Sequence, residues 1–144
     1  LPVSCSKGTL PTFNGNEPVF KGVSGAGLLD FVAAWYLLAA KYVNKYSNEG
    51  KISVAFVSTN SVTQGEQVAV LWSEMFNKYH IKIHFAHRTF KWGNEARGNA
   101  AVHVVIIGYS NFDIQTKKLF DYHDDSADPR ITSVKNINPY LVAH

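Results

Sequence analysis

Lys51-Ile-Ser-Val-Ala-Phe-Val-Ser58 is the stretch on which the fold turns. It is short, apolar and rich in β-branched residues, and the turn-forming Asn48-Glu-Gly50 precedes it, so it reads as a buried strand. Downstream, Val68, Leu71, Trp72, Met75 and Phe76 recur at helical spacing. They predict a helix from about Gly65 to Lys78, with Thr63 as its cap and Glu66 completing a capping box. Ile81-Lys-Ile-His-Phe-Ala-His87 then alternates apolar with polar and reads as the next strand. Strand, helix and strand in that order form a βαβ unit, whose strands run parallel in one sheet with a right-handed crossover. A third strand, Ala100-Ala-Val-His-Val-Val-Ile-Ile-Gly108, is reached only through Phe90 to Asn99, which is too short for a helix and implies an antiparallel return.

Upstream, Leu28, Phe31, Val32, Trp35, Leu38, Ala39, Tyr42 and Val43 predict an amphipathic helix over 28–43, with Ser24 as a cap and Asp30 in the first turn. Residues 1–22 are dense in Pro, Gly, Asn and Ser and read as an irregular arm; 23–142 form one domain. Lys117-Lys-Leu-Phe-Asp-Tyr122 and Arg130-Ile-Thr-Ser-Val134 read as a polar hairpin around Asp124-Asp-Ser-Ala-Asp-Pro129.

The composition narrows the function. Of 144 residues, 46% are hydrophobic and 17% charged, which suits one packed domain rather than a disordered segment. Fourteen Lys and Arg against eleven Asp and Glu give a net charge of +3, too small by itself to prove a nucleic-acid partner. No apolar run approaches the roughly 20 residues that span a bilayer. The first residues, Leu1 to Lys7, lack a secretory pattern and a Met, so the expectation is a cytoplasmic protein and a piece of something longer. The single cysteine, Cys5, permits neither an internal disulfide nor a thiolate zinc cluster, and no acid or histidine beside it would activate it.

In an open α/β sheet, ligands collect outside the carboxyl ends of the parallel strands. Two loops should emerge there. The first offers Ser58, Thr59, Asn60, Ser61 and Thr63, hydrogen-bonding and uncharged. The second, Arg88 to Asn99, offers Arg88, Lys91 and Arg97 interleaved with Phe90 and Trp92. Cations beside aromatic rings suit a phosphate backbone and an unstacked base. The competing reading is that Phe90 and Trp92 plug the sheet edge.

Other signals carry less. Gly25-Ala-Gly27 precedes a helix, but no strand leads into it and no third glycine follows. His84 and His87, three apart on a strand, face opposite sides and are poorly placed to share a metal, so no metal site is expected. His103 in an apolar strand reads as a hydrogen-bonded core residue. Ser58 lacks the flanking glycines of a nucleophile elbow, and the paired carboxylates Asp124 and Asp125 lie in a solvated turn.

Four segments together resemble consecutive blocks of the MmeI-like DNA methyltransferases of bacterial type IIL/IIG restriction–modification systems: Phe20 to Tyr36, Val54 to Gln67, Ile83 to Trp92 and Val102 to Gly108. The match runs from about Val19 to Val142. The resemblance implies an α/β fold: a partial class I (Rossmann-like) methyltransferase sheet comprising its last strands, the final one antiparallel and lying between its neighbours, with helices packed on the sheet. It also implies adenine-N6 methylation of double-stranded DNA with S-adenosylmethionine, Phe90 and Trp92 as the platform for a flipped base, Arg88, Lys91 and Arg97 on the DNA backbone, and Ser58, Thr59, Asn60 and Ser61 as an active-site loop.

The family's glycine-rich cofactor turn, acidic ribose-binding residue and Asn-Pro-Pro-aromatic motif should precede the Leu28 helix, and none is present. Asn16-Glu-Pro18 is only a superficial echo, with Glu17 where a proline is required. The chain thus looks like the second half of a catalytic domain, carrying no catalytic residue, inactive alone and binding no cofactor tightly. Its expected partners are the missing amino-terminal half, a target-recognition domain and DNA. The alternative, from another class, is a non-catalytic nucleic-acid-binding or interaction module built on the same half-sheet. In either case Ile52 to Ser58 should form an exposed sheet edge, through which a homo-oligomer becomes plausible.

Overall fold

The computed structural model describes residues 12–13, 17–93, 101–123 and 128–144. β1 (Thr12–Phe13) pairs antiparallel with β2 (Glu17–Pro18). Directly after it, Val19 and Phe20 are buried in the core, and the Lys41 ammonium donates to the Val19 carbonyl at 3.1 Å. A 3-10 turn, Ala26–Leu28, leads to α1 (Phe31–Lys45). The cap is Asp30 rather than Ser24: its carboxylate accepts from the Ala33 amide at 3.0 Å, a contact worth about 1 kcal/mol. The helix therefore starts three residues later than its apolar spacing suggests.

α1 buries Ala33, Ala34, Tyr36, Leu37, Ala40 and Val43. The small alanines let the helix approach the sheet closely, while Leu28, Phe31, Trp35 and Tyr42, counted by spacing on the apolar stripe, lie on the exposed side. α2 (Gln67–Ser73) is shorter than predicted and passes into a π-helical turn, Glu74–Lys78. The expected capping box does not form. Thr63 lies in a preceding 3-10 turn, Asn60–Thr63, where its hydroxyl donates to the Asn60 carbonyl at 2.9 Å. Gln67 instead joins the two helices: its amide donates to Asp30 Oδ2 at 3.1 Å, and its carbonyl accepts from the Asp30 amide at 3.2 Å.

The main sheet comprises β3 (Val54–Thr59), β4 (Lys82–Trp92), β5 (Val102–Ser110), β6 (Lys117–Asp121) and β7 (Arg130–Val134) in the spatial order β3-β5-β4-β6-β7. β5 is antiparallel to both β3 and β4, so those two run parallel but are separated by one strand. β6 pairs parallel with β4 and antiparallel with β7. The supposed polar hairpin is thus a continuation of the main sheet. β3 lies at one edge, as the sequence reading expects.

Both helices cover the same face. Tyr36 of α1 packs on Phe56, Trp72 and Tyr109, and the Tyr109 hydroxyl donates to the Tyr36 carbonyl at 2.9 Å. Burial of these phenols pushes Tyr36 up to about 12 and Tyr109 well above its ordinary value, so both stay neutral. Strand alternation turns Val105, Ile107 and Tyr109 toward the helices and Val104, Ile106 and Gly108 away from them. Among the described residues no helix covers this second face, and Val57, Trp92, Val102 and Ile131 are exposed. His103, expected in the core, is exposed, because it precedes the fully flanked part of β5. Among the described residues, no helix is long and apolar enough to cross a membrane.

Candidate functional site

The carboxyl ends of β3 and β4 meet at one rim because β5 runs antiparallel between them. Thr59 on one side and Phe90 on the other both pair with Val104. All three belong to the helix-free face, and Val104 is buried between its neighbours.

The segment Arg88 to Trp92, expected in a loop, belongs to β4. Pairing shifts between His87 and Phe90: His87 lies opposite Ile106, while Phe90 lies opposite Val104. Three steps on β4 match two on β5, which is a β-bulge. Its consequence is a change of face. Residues three apart in a regular strand point to opposite sides, but this bulge returns Phe90 to the side of His87.

That side carries an aromatic cluster. The His87 ring stacks on Phe120 at 4.1 Å between centroids with planes 5° apart, and a 2.7 Å hydrogen bond joins His87 Nδ1 to the Tyr122 hydroxyl. Phe90 is half-buried, with its ring 4.7 Å from that of Tyr122 and 6.2 Å from that of exposed Trp92. Desolvation lowers the His87 pKa and raises that of Tyr122, so the pair is neutral near pH 7. Phe90 is therefore not a plug of the main core, which lies under the helices.

The cations separate from the aromatics. Lys91 pairs with His103 on the other face of the sheet, and Arg88 donates to Asp121 Oδ2 at 3.0 Å, with His123 Nε2 at 3.6 Å from the same oxygen. Arg88, Asp121, Thr63, Gln64, Tyr140 and Leu141 line an open cleft of about 380 Å³. The interleaving in the sequence thus becomes aromatic on one face and basic on the other. Arg97, Cys5, Asn16, Asp124 and Asp125 lie outside the described residues.

The loop after β3 is pinned from below. Ser58 faces the helices, and its hydroxyl shares a 2.9 Å hydrogen bond with that of Tyr36. Thr59 and Ser61 hydroxyls are 2.9 Å apart, Gln67 Nε2 donates to the Ser61 carbonyl at 2.9 Å, and Trp72 Nε1 donates to the Val62 carbonyl at 2.8 Å. Such a backing holds the loop in place through its own hydrogen bonds. Of the four residues assigned to this loop, Ser58 is thus turned inward while Thr59 faces the rim with Phe90.

Gly25-Ala-Gly27 has a structural use. Gly25 adopts φ +79°, and a Cβ there would sit 3.0 Å from Val70 Cγ2, so the turn packs on α2. His84, in a second bulge, bonds through Nε2 to the Phe112 carbonyl at 2.8 Å. The sequence reading missed His87, Phe120 and Tyr122 as parts of the site. The alternation Phe120-Asp-Tyr122 at the end of β6 is the signal that could have found two of them.

An open α/β sheet in which an antiparallel strand is inserted between two parallel ones is a partial methyltransferase-like sheet. The chain belongs to the family of MmeI DNA-methyltransferase domains, whose model matches residues 14–121. It starts before Val19, and Tyr122 to Val142 lies beyond it. DNA methyltransferase A of Bacillus subtilis (strain 168) is 46% identical over 124 residues, an alignment covering 85% of this chain and 13% of that protein. The solved structure of the type IIL restriction-modification enzyme MmeI in complex with DNA matches with a TM-score of 0.76 and 51% identity, over 86% of this chain and 16% of that one.

Proposed function

We propose that this chain is the second half of the catalytic domain of a cytoplasmic restriction–modification enzyme that methylates adenine N6 in double-stranded DNA with S-adenosylmethionine. The observation that carries the reading is the Phe90 ring, half-open on the helix-free face, beside the pinned Thr59 at the carboxyl rim. A base to be modified must leave the helical stack, and an aromatic wall compensates the stacking it loses. Trp92, exposed next to Phe90, extends that wall, and Lys91, Arg88 and Arg97 supply charge for the backbone. Ser58 and Ser61 hold the loop while Thr59 and Asn60 face the ligand.

The described residues do not fit S-adenosylmethionine by themselves. Their one glycine-rich helix lead-in is packed on Val70, and the carboxylate at the rim, Asp121, is held by Arg88. The cofactor and the catalytic amide belong to the preceding half of the domain. That half pairs with the open edge of β3, and in its absence the same edge offers a second copy a place to dock. The relatives, of which this chain covers 13% and 16%, have room for such a half and for a target-recognition domain.

The test is to express the complete reading frame and digest the cellular DNA to nucleosides. N6-methyladenine is expected, and its level is expected to fall with Phe90→Ala. Methylcytosine in its place would overturn the adenine assignment. Titration of the isolated chain with S-adenosylmethionine should show no saturable micromolar binding; if it does, the cofactor site lies within these residues.

A further inference from the structure

We propose that Tyr122, hydrogen-bonded to His87, is a positioning residue that holds the Phe90 ring at the angle needed to receive the target base. This inference rests on the base-wall reading of Phe90 given above.

Three observations carry it. First, the bulge between His87 and Phe90 brings both rings to one face, an arrangement a regular strand would forbid. Second, Tyr122 touches both: its hydroxyl is 2.7 Å from His87 Nδ1, and its ring is 4.7 Å from that of Phe90 with planes 32° apart. Third, His87 is itself fixed, stacked on Phe120 at 4.1 Å with 5° between planes. Phe120 ends the part of β6 that pairs with β4, and Tyr122 lies just past the strand. Without the bond to His87, the Tyr122 side chain could turn about its first two torsions and Phe90 would lose a fixed backing. With it, the chain of contacts Phe120, His87, Tyr122 and Phe90 runs from the sheet to the base wall.

The three rings differ in their roles. Phe90 would touch the base, whereas Tyr122 acts through Phe90. The burial that keeps His87 neutral leaves Nδ1 able to accept from the phenol, with the other ring nitrogen carrying the proton.

The test uses the full-length enzyme with two DNA duplexes, an unmodified one on which methylation is timed and one carrying 2-aminopurine at the target adenine, whose fluorescence is quenched when it stacks on a ring. Tyr122→Phe keeps the ring and removes the hydrogen bond. It should slow single-turnover methylation about tenfold, as small misplacements at reacting centres do, with DNA affinity changed by less than about twofold. The 2-aminopurine signal in the complex should rise. His87→Phe, which removes the acceptor, should do the same. In a Phe90→Ala background neither change should slow the reaction further, because residues acting through one group are not additive. Equal slowing in both backgrounds, or an unchanged rate and fluorescence in Tyr122→Phe while Phe90→Ala is impaired, would overturn the positioning role alone. An unimpaired Phe90→Ala enzyme would overturn both it and the base-wall reading.

Discussion

Thr59 and Phe90 face each other across a single residue, Val104, one from each neighbouring strand. Two strand spacings separate their backbones, about 10 Å. The antiparallel β5 is what creates this relationship. It wedges between two parallel strands without reversing either, so both carboxyl ends, and the polar loop after one and the aromatic end of the other, open on the same rim. A sheet with β3 and β4 directly adjacent would bring them closer but leave no floor between them.

Phe90 gives the most direct test of that rim. Phe90→Ala in the intact enzyme should remove about 1–3 kcal/mol of base stacking, roughly a 5- to 150-fold loss in methylation, while cofactor affinity stays near the wild-type value. Phe90→Tyr and Phe90→Trp should keep much of the activity, since a π-face is what the base needs. Because Phe90 is only half-buried, the stability cost should fall below the roughly 3–5 kcal/mol of a full core truncation. A large drop in melting temperature with a normal rate per folded molecule would show that the ring is packing alone.

Arg88 is held by Asp121, and this pairing sets how much it can contribute to DNA binding. A cation already neutralised releases few counterions, so Arg88→Ala should reduce the salt slope of DNA binding by less than the roughly 0.9 expected per phosphate contact. Asp121→Asn should free the guanidinium and tighten binding at low salt. Fluorescence anisotropy across a salt series reads both. Weaker binding by Asp121→Asn would mean that the carboxylate orients Arg88 on the phosphate.

The βαβ order and the antiparallel return were legible because each rests on apolar periodicity and connection length, whereas the open β3 edge followed from the resemblance, which implies a missing half of the sheet. The two bulges in β4 were not. A bulge is set by how twisted neighbours fit, and nothing in His87-Arg-Thr-Phe90 marks it locally. Strict alternation counted from His87 therefore misplaces Phe90, Lys91 and Trp92 by one face. The same blindness hid the aromatic cluster, since Phe120 and Tyr122 join His87 only through the parallel pairing of β4 with β6. The exposed stripe of α1 has another cause: periodicity reveals that a helix has an apolar side, but Phe31 and Trp35 extend that side beyond what the sheet covers. Of the candidate site, the polar residues 58–63 and the aromatic Phe90 and Trp92 were readable as residue types, while the division into aromatic and basic faces required the register.

Gly108 should prove intolerant of a side chain. A Cβ there would overlap the Phe85 ring, which lies across the glycine on the helix-free face. Phe85 and Gly108 are cross-strand partners, so the glycine is a seat for the ring. Gly108→Ala should cost about 1–3 kcal/mol by forcing that ring aside. Gly108→Ala combined with Phe85→Leu should cost less than the sum of the two changes, measured by denaturant unfolding. Additive costs would place the strain in the backbone of β5.

Stability should also depend on pH through His87. The rings in contact with it are Phe85, Phe90, Phe120 and Tyr122, and desolvation among them lowers its pKa below the ordinary 6.5. A folded histidine with a depressed pKa binds fewer protons than its unfolded counterpart, so between the two pKa values stability rises with pH. The contribution of neutral His87 is therefore complete above about pH 6.5 and is lost as pH falls through that value toward the folded pKa. Protonation also turns Nδ1 from an acceptor into a donor, so the Tyr122 hydroxyl must reverse to keep the 2.7 Å bond. Melting temperatures from pH 8 to pH 5 should fall more steeply for wild type than for His87→Phe, which has nothing to protonate there. The difference between the two curves isolates this residue from the other histidines. Parallel curves would mean that His87 is as well solvated in the folded chain as in the unfolded one.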